Sequence, residues 1–251
     1  MSVFAAAVHA YQRSVAGPRA HRSGPFVIRF DEHDAALPFN YAVPDDGTDP
    51  TAEEVAALVE TFRDRGRTPR LEYVPQAAPG VEPALLAAGF AVEGRFPLLV
   101  CPPETAVDAP ADASVRLATV TSDAGLWSAA RVMNAAFEAP EATEHDVARL
   151  RGVLDKGGLV AVGTDTTTGQ AVAAGQLGGP HEGVAEVAGI AVLPSHRRRG
   201  LAGALTALLT RAGAAQGVGT PFLTPADDHA ARVYARVGYR KVGEALFISL
   251  P

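Results

Sequence analysis

Residues 195–203, Ser195-His196-Arg197-Arg198-Arg199-Gly200-Leu201-Ala202-Gly203, set three consecutive arginines against small residues where an apolar helix begins. A helix N-terminus leaves several backbone N–H groups unpaired and carries about half a positive charge, so it attracts anions. Gly200 and Gly203, with the small Ala202 between them, let a phosphate approach the backbone with little collision from side chains. Arg197, Arg198 and Arg199 add positive potential to a chain whose net charge is −6. The stretch predicts a pyrophosphate cradle. It is not a P-loop, because no Gly-Lys-Ser/Thr follows, and the absence of GxGxxG removes a dinucleotide-binding reading. Taken alone, an arginine run is as easily a solvated turn, so the residues around it matter.

Upstream lies an apolar strand, Val184–Val192, ending at Pro194. Downstream lies Asp227-Asp228-His229-Ala230-Ala231-Arg232-Val233-Tyr234-Ala235-Arg236-Val237-Gly238-Tyr239. The succession of strand, proline, Arg197-x-x-Gly200-x-Ala202 and apolar helix closely resembles the acetyl-CoA-binding motif of the GNAT N-acetyltransferase superfamily. The downstream segment resembles the family's Asn-x-x-Ala-x-x-x-Tyr followed by Gly-Phe, with Asp227 in place of the Asn and Tyr239 in place of the Phe. The resemblance covers residues 114–251.

It implies an N-acetyltransferase that moves an acetyl group from the cosubstrate acetyl-CoA directly to the amine of a small molecule or peptide. Backbone groups of Ile190, Ala191 and Val192 would pair with pantetheine, and Arg197, Arg198, Arg199, Gly200, Leu201, Ala202 and Gly203 would hold the pyrophosphate. Tyr234 falls where the family keeps the acid that protonates the departing thiolate. A phenol of ordinary pKa about 10 is protonated at neutral pH and suits that task; the other reading is a half-buried packing tyrosine. Asp227 either contacts cofactor as the family's Asn does or caps the helix after it, since a carboxylate cannot donate as an amide can. Glu186 resembles the strand glutamate that some protein-acetylating members use as a base. Strand alternation would set it on one face with Ala188 and Ile190; otherwise it is a solvated strand-end carboxylate. His181 and Glu182 are the weaker alternatives for base or substrate contact. The competing function is a non-catalytic acyl-CoA sensor or assembly module, and a homodimer is the candidate assembly.

Composition narrows the field further. With 47% hydrophobic and 20% charged residues among 251, the chain reads as folded throughout, and its acidic balance argues against nucleic-acid binding. The one cysteine, Cys101, has no intrachain partner, and the seven scattered histidines show no metal-ligand spacing, so no metal is expected. No apolar run reaches the roughly 20 residues that span a bilayer, and residues 1–8 lack the makings of a secretory signal. A cytoplasmic protein without membrane contact is expected.

These motifs need elements to hold them. Residues 121–137 and 143–154 read as helices, the first presenting Leu126, Ala130, Met133 and Phe137 on one face. Apolar runs 158–163 and 172–177 flank a turn-rich Thr-Asp-Thr-Thr-Thr-Gly and predict a hairpin. Strand 184–192, helix 201–216, strand 222–224, helix 228–237 and strand-like ends at 239–242 and 245–250 follow. The first half echoes this order: a capping-box helix from Thr51 to Arg65, strand 71–74, helix 81–88 and strand 96–101. The helix-stop glycines Gly66 and Gly217 lie 151 residues apart, and Gly89 and Gly238 lie 149 apart, which predicts diverged copies. The expected fold is α/β (α+β): two GNAT-like domains, 1–105 and 114–251, each a mixed, mostly antiparallel sheet flanked by helices, joined by the proline-rich segment 102–113. In the first copy, Pro44-Asp45-Asp46-Gly47-Thr48-Asp49-Pro50 replaces the basic loop and Leu85 falls near the match to Tyr234, so this half is expected to be degenerate.

Overall fold

The capping box at Thr51 forms as its sequence dictates: the Thr51 side chain accepts from the Glu54 N–H, and the Glu54 carboxylate accepts from the Thr51 N–H. These features belong to a computed structural model that describes residues 2–17 and 20–251. The chain divides into two compact units. The first, Met1–Leu98 with Lys241–Pro251, contains helix α1 (Val3–Val15), strands β1 (His21–Ser23), β2 (Phe26–Arg29) and β3 (Tyr41–Pro44), helix α2 (Ala52–Arg63), strand β4 (Arg70–Tyr73), helix α3 (Val81–Ala87) and most of strand β5 (Ala91–Val100). The second, Leu99–Arg240, contains strand β6 (Val115–Val120), helices α4 (Asp123–Ala136) and α5 (Glu144–Asp155), strands β7 (Leu159–Asp165), β8 (Ala171–Leu177) and β9 (Val184–Val192), helix α6 (Leu201–Gly213), strand β10 (Thr220–Leu223) and helix α7 (Asp228–Val237). The last strand, β11 (Arg240–Ser249), belongs almost wholly to the first unit.

This division differs from the 1–105 and 114–251 split expected from the linker. The reason is strand pairing. β11 runs antiparallel to β4, from Leu246 opposite Tyr73 to Ser249 opposite Arg70. That pairing buries Leu246 and Ile248 in a core with Phe26, Leu58, Phe62 and Leu71. Conversely, Val100 and Leu99 at the end of β5 pair with Phe222 and Leu223 of β10. A fragment cut to 114–251 would lack both partners, leaving an apolar strand edge exposed. It should fail to unfold cooperatively in a thermal melt and should bind a hydrophobic dye; a sharp transition at the full-length midpoint would refute the assignment.

The succession β3, α2, β4, α3, β5 recurs as β9, α6, β10, α7, β11, with β3–β4 and β9–β10 parallel and the other assigned pairs antiparallel. This is the order that the glycine spacing predicts, and all four stop glycines adopt left-handed φ. Helix α1 and strands β1, β2 and β6 were absent from the sequence reading, and the two strand-like ends of the chain fuse into β11.

In the first unit, Arg70 is 4% exposed and carries its charge into the sheet. Its guanidinium donates to Glu93 at 2.9 Å, pairs with Glu72 and reaches the Leu37 carbonyl at 3.2 Å. Burial pushes the Glu72 carboxyl up, and Arg70 opposes that shift. Arg70→Leu should cost about 3–5 kcal/mol in denaturant unfolding, because two carboxylates lose their counter-charge. The variant should regain part of that loss as pH falls, since a carboxyl with raised folded pKa is stabilised by taking up a proton. Equal stability at neutral pH would contradict this account.

In the second unit the sheet runs β10-β9-β8-β7-β6. Helices α4 and α5 cover one face, where Leu126, Ala129, Ala130, Val147 and Leu150 meet Val160, Val162, Ala174 and Ala191. Phe137, expected on that apolar face, is instead 58% exposed, because α4 ends at Ala136 and the ring lies on its C-cap. Helix α6 covers the opposite face, its Leu205 and Leu209 packing around Gly175. Among the described residues no helix is long and apolar enough to cross a membrane.

Candidate functional site

The parallel ladder between β9 and β10 has three rungs, Val184–Thr220, Ala185–Pro221 and Glu186–Phe222. Beyond Glu186 the two strands part, so residues 187–192 keep their partner β8 on one side and have an unladdered edge on the other. Glu186 thus stands at the vertex of a fork, half-buried, opposite the fully buried Phe222. Strand β9 also carries a bulge: Ala191 pairs with Ala174 and Ala188 with Gln176, leaving Gly189 and Ile190 together opposite Gly175. Gly189 takes φ +61°, which favours glycine.

The bulge corrects the expected alternation. Gln176, Ala188 and Glu186 share the face towards α4, since a Cβ on Gly189 would meet Met133 at 3.3 Å and the Gln176 side chain at 4.0 Å. Ile190 points the other way: a Cβ on Gly175 would lie 2.5 Å from its Cδ1, beside Leu205 and Leu209 of α6. Glu186 and Ile190 therefore face opposite sides of the sheet. A glycine inside a strand pattern is the signal that announces such a bulge.

The loop after β9 makes a short 3-10 turn, Pro194–His196, and enters α6 through Gly200 at φ +78°. His196 is moored by Nε2 to Asp165 at 3.2 Å. Asp165 accepts from the Thr168 and Thr167 N–H groups as well, and these bonds with His196 hold its carboxyl down at about 2. Helices α1, α2, α4 and α7 are capped by Ser2, Thr51, Ser122 and Asp227. Helix α6 has no side-chain cap and no acid in its first turn, so its leading N–H groups and dipole are available to an anion. The Leu201 side chain is buried and offers backbone only, Ala202 is half-buried and Gly203 is buried.

The three arginines are not equivalent. Arg197 turns back to the Val192 carbonyl at 3.3 Å and the Ala136 carbonyl at 3.4 Å, joining the end of β9 to the end of α4. Arg198 is exposed at φ +63°, and Arg199 pairs with Asp112 at 3.3 Å. Gly200 is not open space either: a Cβ there would come within 2.1 Å of the Pro110 carbonyl oxygen. The segment 107–112, expected to be a plain linker, lies against the loop, a packing that residue types alone did not announce.

Tyr234 is half-buried on α7, the helix that follows the other arm of the fork, and among the described residues no hydrogen bond to its hydroxyl is present. Burial pushes its phenol up, and the neighbouring Asp227 charge pushes in the same direction. Asp227 accepts from the Ala230 N–H at 2.7 Å and so caps α7, which is one of its two expected roles. Its charge adds to burial in favouring the protonated form of Tyr234. Tyr239, 6.3 Å from the Tyr234 ring between centroids, is buried with its hydroxyl on Thr210 at 2.7 Å. His181 spends its backbone on a two-way bridge to Val184, and Glu182 sits exposed in the turn at φ +48°.

Residues 127–239, which include the fork, the α6 loop and Tyr234, match the model of the acetyltransferase (GNAT) family. That segment is similar to the GNAT acetyltransferases. GNAT proteins transfer acyl groups from acyl-CoA. A GCN5-related N-acetyltransferase from Kribbella flavida is 27% identical, with a TM-score of 0.80 over 100% of this chain and 96% of that one. A tandem GNAT protein from the clavulanic acid biosynthesis pathway is 15% identical, with a TM-score of 0.64 over 95% and 86%. A putative GNAT acetyltransferase from Novosphingobium aromaticivorans is 22% identical, with a TM-score of 0.57 over 95% and 94%. The last two likenesses are of fold alone. Among curated proteins none matches. The matched segment has features that fit acyl-CoA: an unladdered strand edge, a helix N-terminus without a cap, and arginine beside it.

Proposed function

We propose that this chain is an N-acetyltransferase that moves the acetyl group of acetyl-CoA directly to an amine of a small molecule or peptide. The fork carries the reading, because it sets a carboxylate, Glu186, where an unladdered strand edge begins. Backbone groups at Ile190, Ala191 and Val192 would pair with pantetheine, the first-turn N–H groups from Leu201 to Gly203 would hold pyrophosphate, and Arg198 and Arg199 would supply charge. Arg197, on the Val192 carbonyl, would brace or release that edge. Glu186 takes the amine proton as the nitrogen lone pair attacks the acetyl carbonyl carbon. Tyr234 gives its proton to the sulfur as the C–S bond breaks, so the amide and the free thiol account for every atom. Asp227 serves as the α7 cap that keeps the phenol protonated.

The first unit supports its reading as a degenerate half. Its counterpart loop holds Asp45 paired with Arg13 and Arg22, and Asp46 with His9. The N-terminus of α2 is already filled by its capping box and carries Glu53 and Glu54 in the first turn. An anion would meet acid there instead of free N–H groups.

The deciding assay incubates the full chain with acetyl-CoA and a panel of amines, reading thiol release and amide formation. Turnover that requires an amine is expected. Tight acetyl-CoA binding without turnover on any amine would favour the sensor, and absence of binding would end both readings.

A further inference from the structure

We propose that the segment joining β5 to β6 is a working part of the acyl-CoA loop, in which Asp112 is a positioning residue that holds Arg199 for a phosphate of the cofactor. The inference rests on the acyl-CoA reading of the α6 loop and deepens it. Residues 107–112 run back along α6 towards its N-terminus. The Val107 N–H donates to the Val237 carbonyl at 2.8 Å, and Asp108 pairs with Arg211. Ala109 then meets the first turn of α6, its Cβ 3.1 Å from where a Gly203 Cβ would stand. The Pro110 carbonyl oxygen closes on Gly200, 2.1 Å from where a Cβ would stand. Asp112 grips Arg199 at both ends: its N–H donates to the Arg199 carbonyl at 3.0 Å, and its Oδ2 faces the Arg199 Nη1 at 3.3 Å.

Asp112 is itself fixed. Its Oδ1 accepts from the Ser114 N–H at 2.8 Å and the Ser114 hydroxyl at 2.7 Å, and its carbonyl accepts from the Val115 N–H at 3.0 Å. The bonds from Ser114, with Arg199, hold the carboxyl below its usual range. One carboxylate oxygen therefore stays on its hook while the other faces the guanidinium. A guanidinium has five N–H donors in a rigid fork, and a single contact leaves most of them for another anion. Arg199 remains about half exposed beside the uncapped α6 terminus, where an incoming phosphate would meet it. An arginine held in place before binding gives up less freedom on binding. The strap also packs against the left-handed turn at Gly200 that the loop needs.

The test is CoA binding by calorimetry together with steady-state kinetics on the full chain, for wild type, Asp112→Asn, Arg199→Gln and the double variant. Asp112→Asn should weaken CoA binding and raise KM for the acyl donor by about 3- to 10-fold, the lower part of the range of coupling between contacting groups. kcat should stay unchanged, and the double variant should be no worse than Arg199→Gln alone. Ser114→Ala, which leaves both charges in place and removes one hook, should shift KM in the same direction by less, and serves if Asp112→Asn folds poorly. Unchanged or tighter binding by Asp112→Asn, or losses that simply add to those of Arg199→Gln, would overturn the proposal; tighter binding would make Asp112 a competitor for Arg199. Wild type that binds no CoA would bring down the acyl-CoA reading, and this inference with it.

Discussion

Tyr234→Phe is expected to keep wild-type acetyl-CoA affinity and to lose about 10²- to 10⁴-fold in turnover, the usual worth of a positioned general acid. The change removes one oxygen and keeps the ring that packs near Tyr239. Because no hydrogen bond holds the Tyr234 hydroxyl, its removal should leave the melting temperature near wild type. Tyr239→Phe is the matched control. Its hydroxyl is buried on Thr210, so the variant should lose about 1 kcal/mol of stability and little turnover. The pH behaviour has a definite sign. Burial and Asp227 both raise the phenol above its ordinary value of 10, so the acid form persists through neutrality and any basic limb due to Tyr234 lies above that value. Asp227→Asn, which keeps a capping oxygen and removes the charge, should move that limb down. Normal turnover by Tyr234→Phe on an accepted amine would mean that solvent protonates the thiolate and the tyrosine only packs.

Much of the candidate site's placement was legible because strand, loop and helix follow from residue type and spacing. Arg197-x-x-Gly200-x-Ala202, the strand before it and the tyrosine on the next helix but one all fell on the elements expected of them, and Thr51 with Glu54 forecast its own cap. What stayed hidden depends on partners distant in sequence. Nothing in residues 241–251 announces that Leu246 and Ile248 complete a core with Leu71 and Phe62, since an apolar strand suits either unit. Periodicity of two holds along a strand only until a residue is inserted, so the bulge at Gly189 moved Ile190 across the sheet from Glu186. Gly200 looked like clearance for a ligand, yet its missing Cβ also makes room for the Pro110 carbonyl. A substitution there would therefore disturb the strap along with any phosphate, which is why Arg199 and Asp112 make cleaner probes of the loop.

Glu186→Gln tests the other half of the proton path. The amide keeps the shape and hydrogen-bonding capacity of the carboxylate but cannot accept a proton at neutral pH, so turnover should again fall about 10²- to 10⁴-fold. Acyl-donor KM should hold, because Glu186 faces α4 across the sheet from Ile190 and α6. A base works only when ionised, so any acidic limb of the wild-type rate that belongs to this carboxylate should vanish in the variant. The amine's own ionisation produces a limb of the same sign. Comparing acceptors of different pKa separates the two: a limb belonging to Glu186 stays in place as the acceptor changes, whereas one belonging to the amine moves with it. If Glu186→Gln leaves both the rate and the fixed limb intact, the proton leaves by another route, and His181, in the turn that opens β9, is the next group to replace.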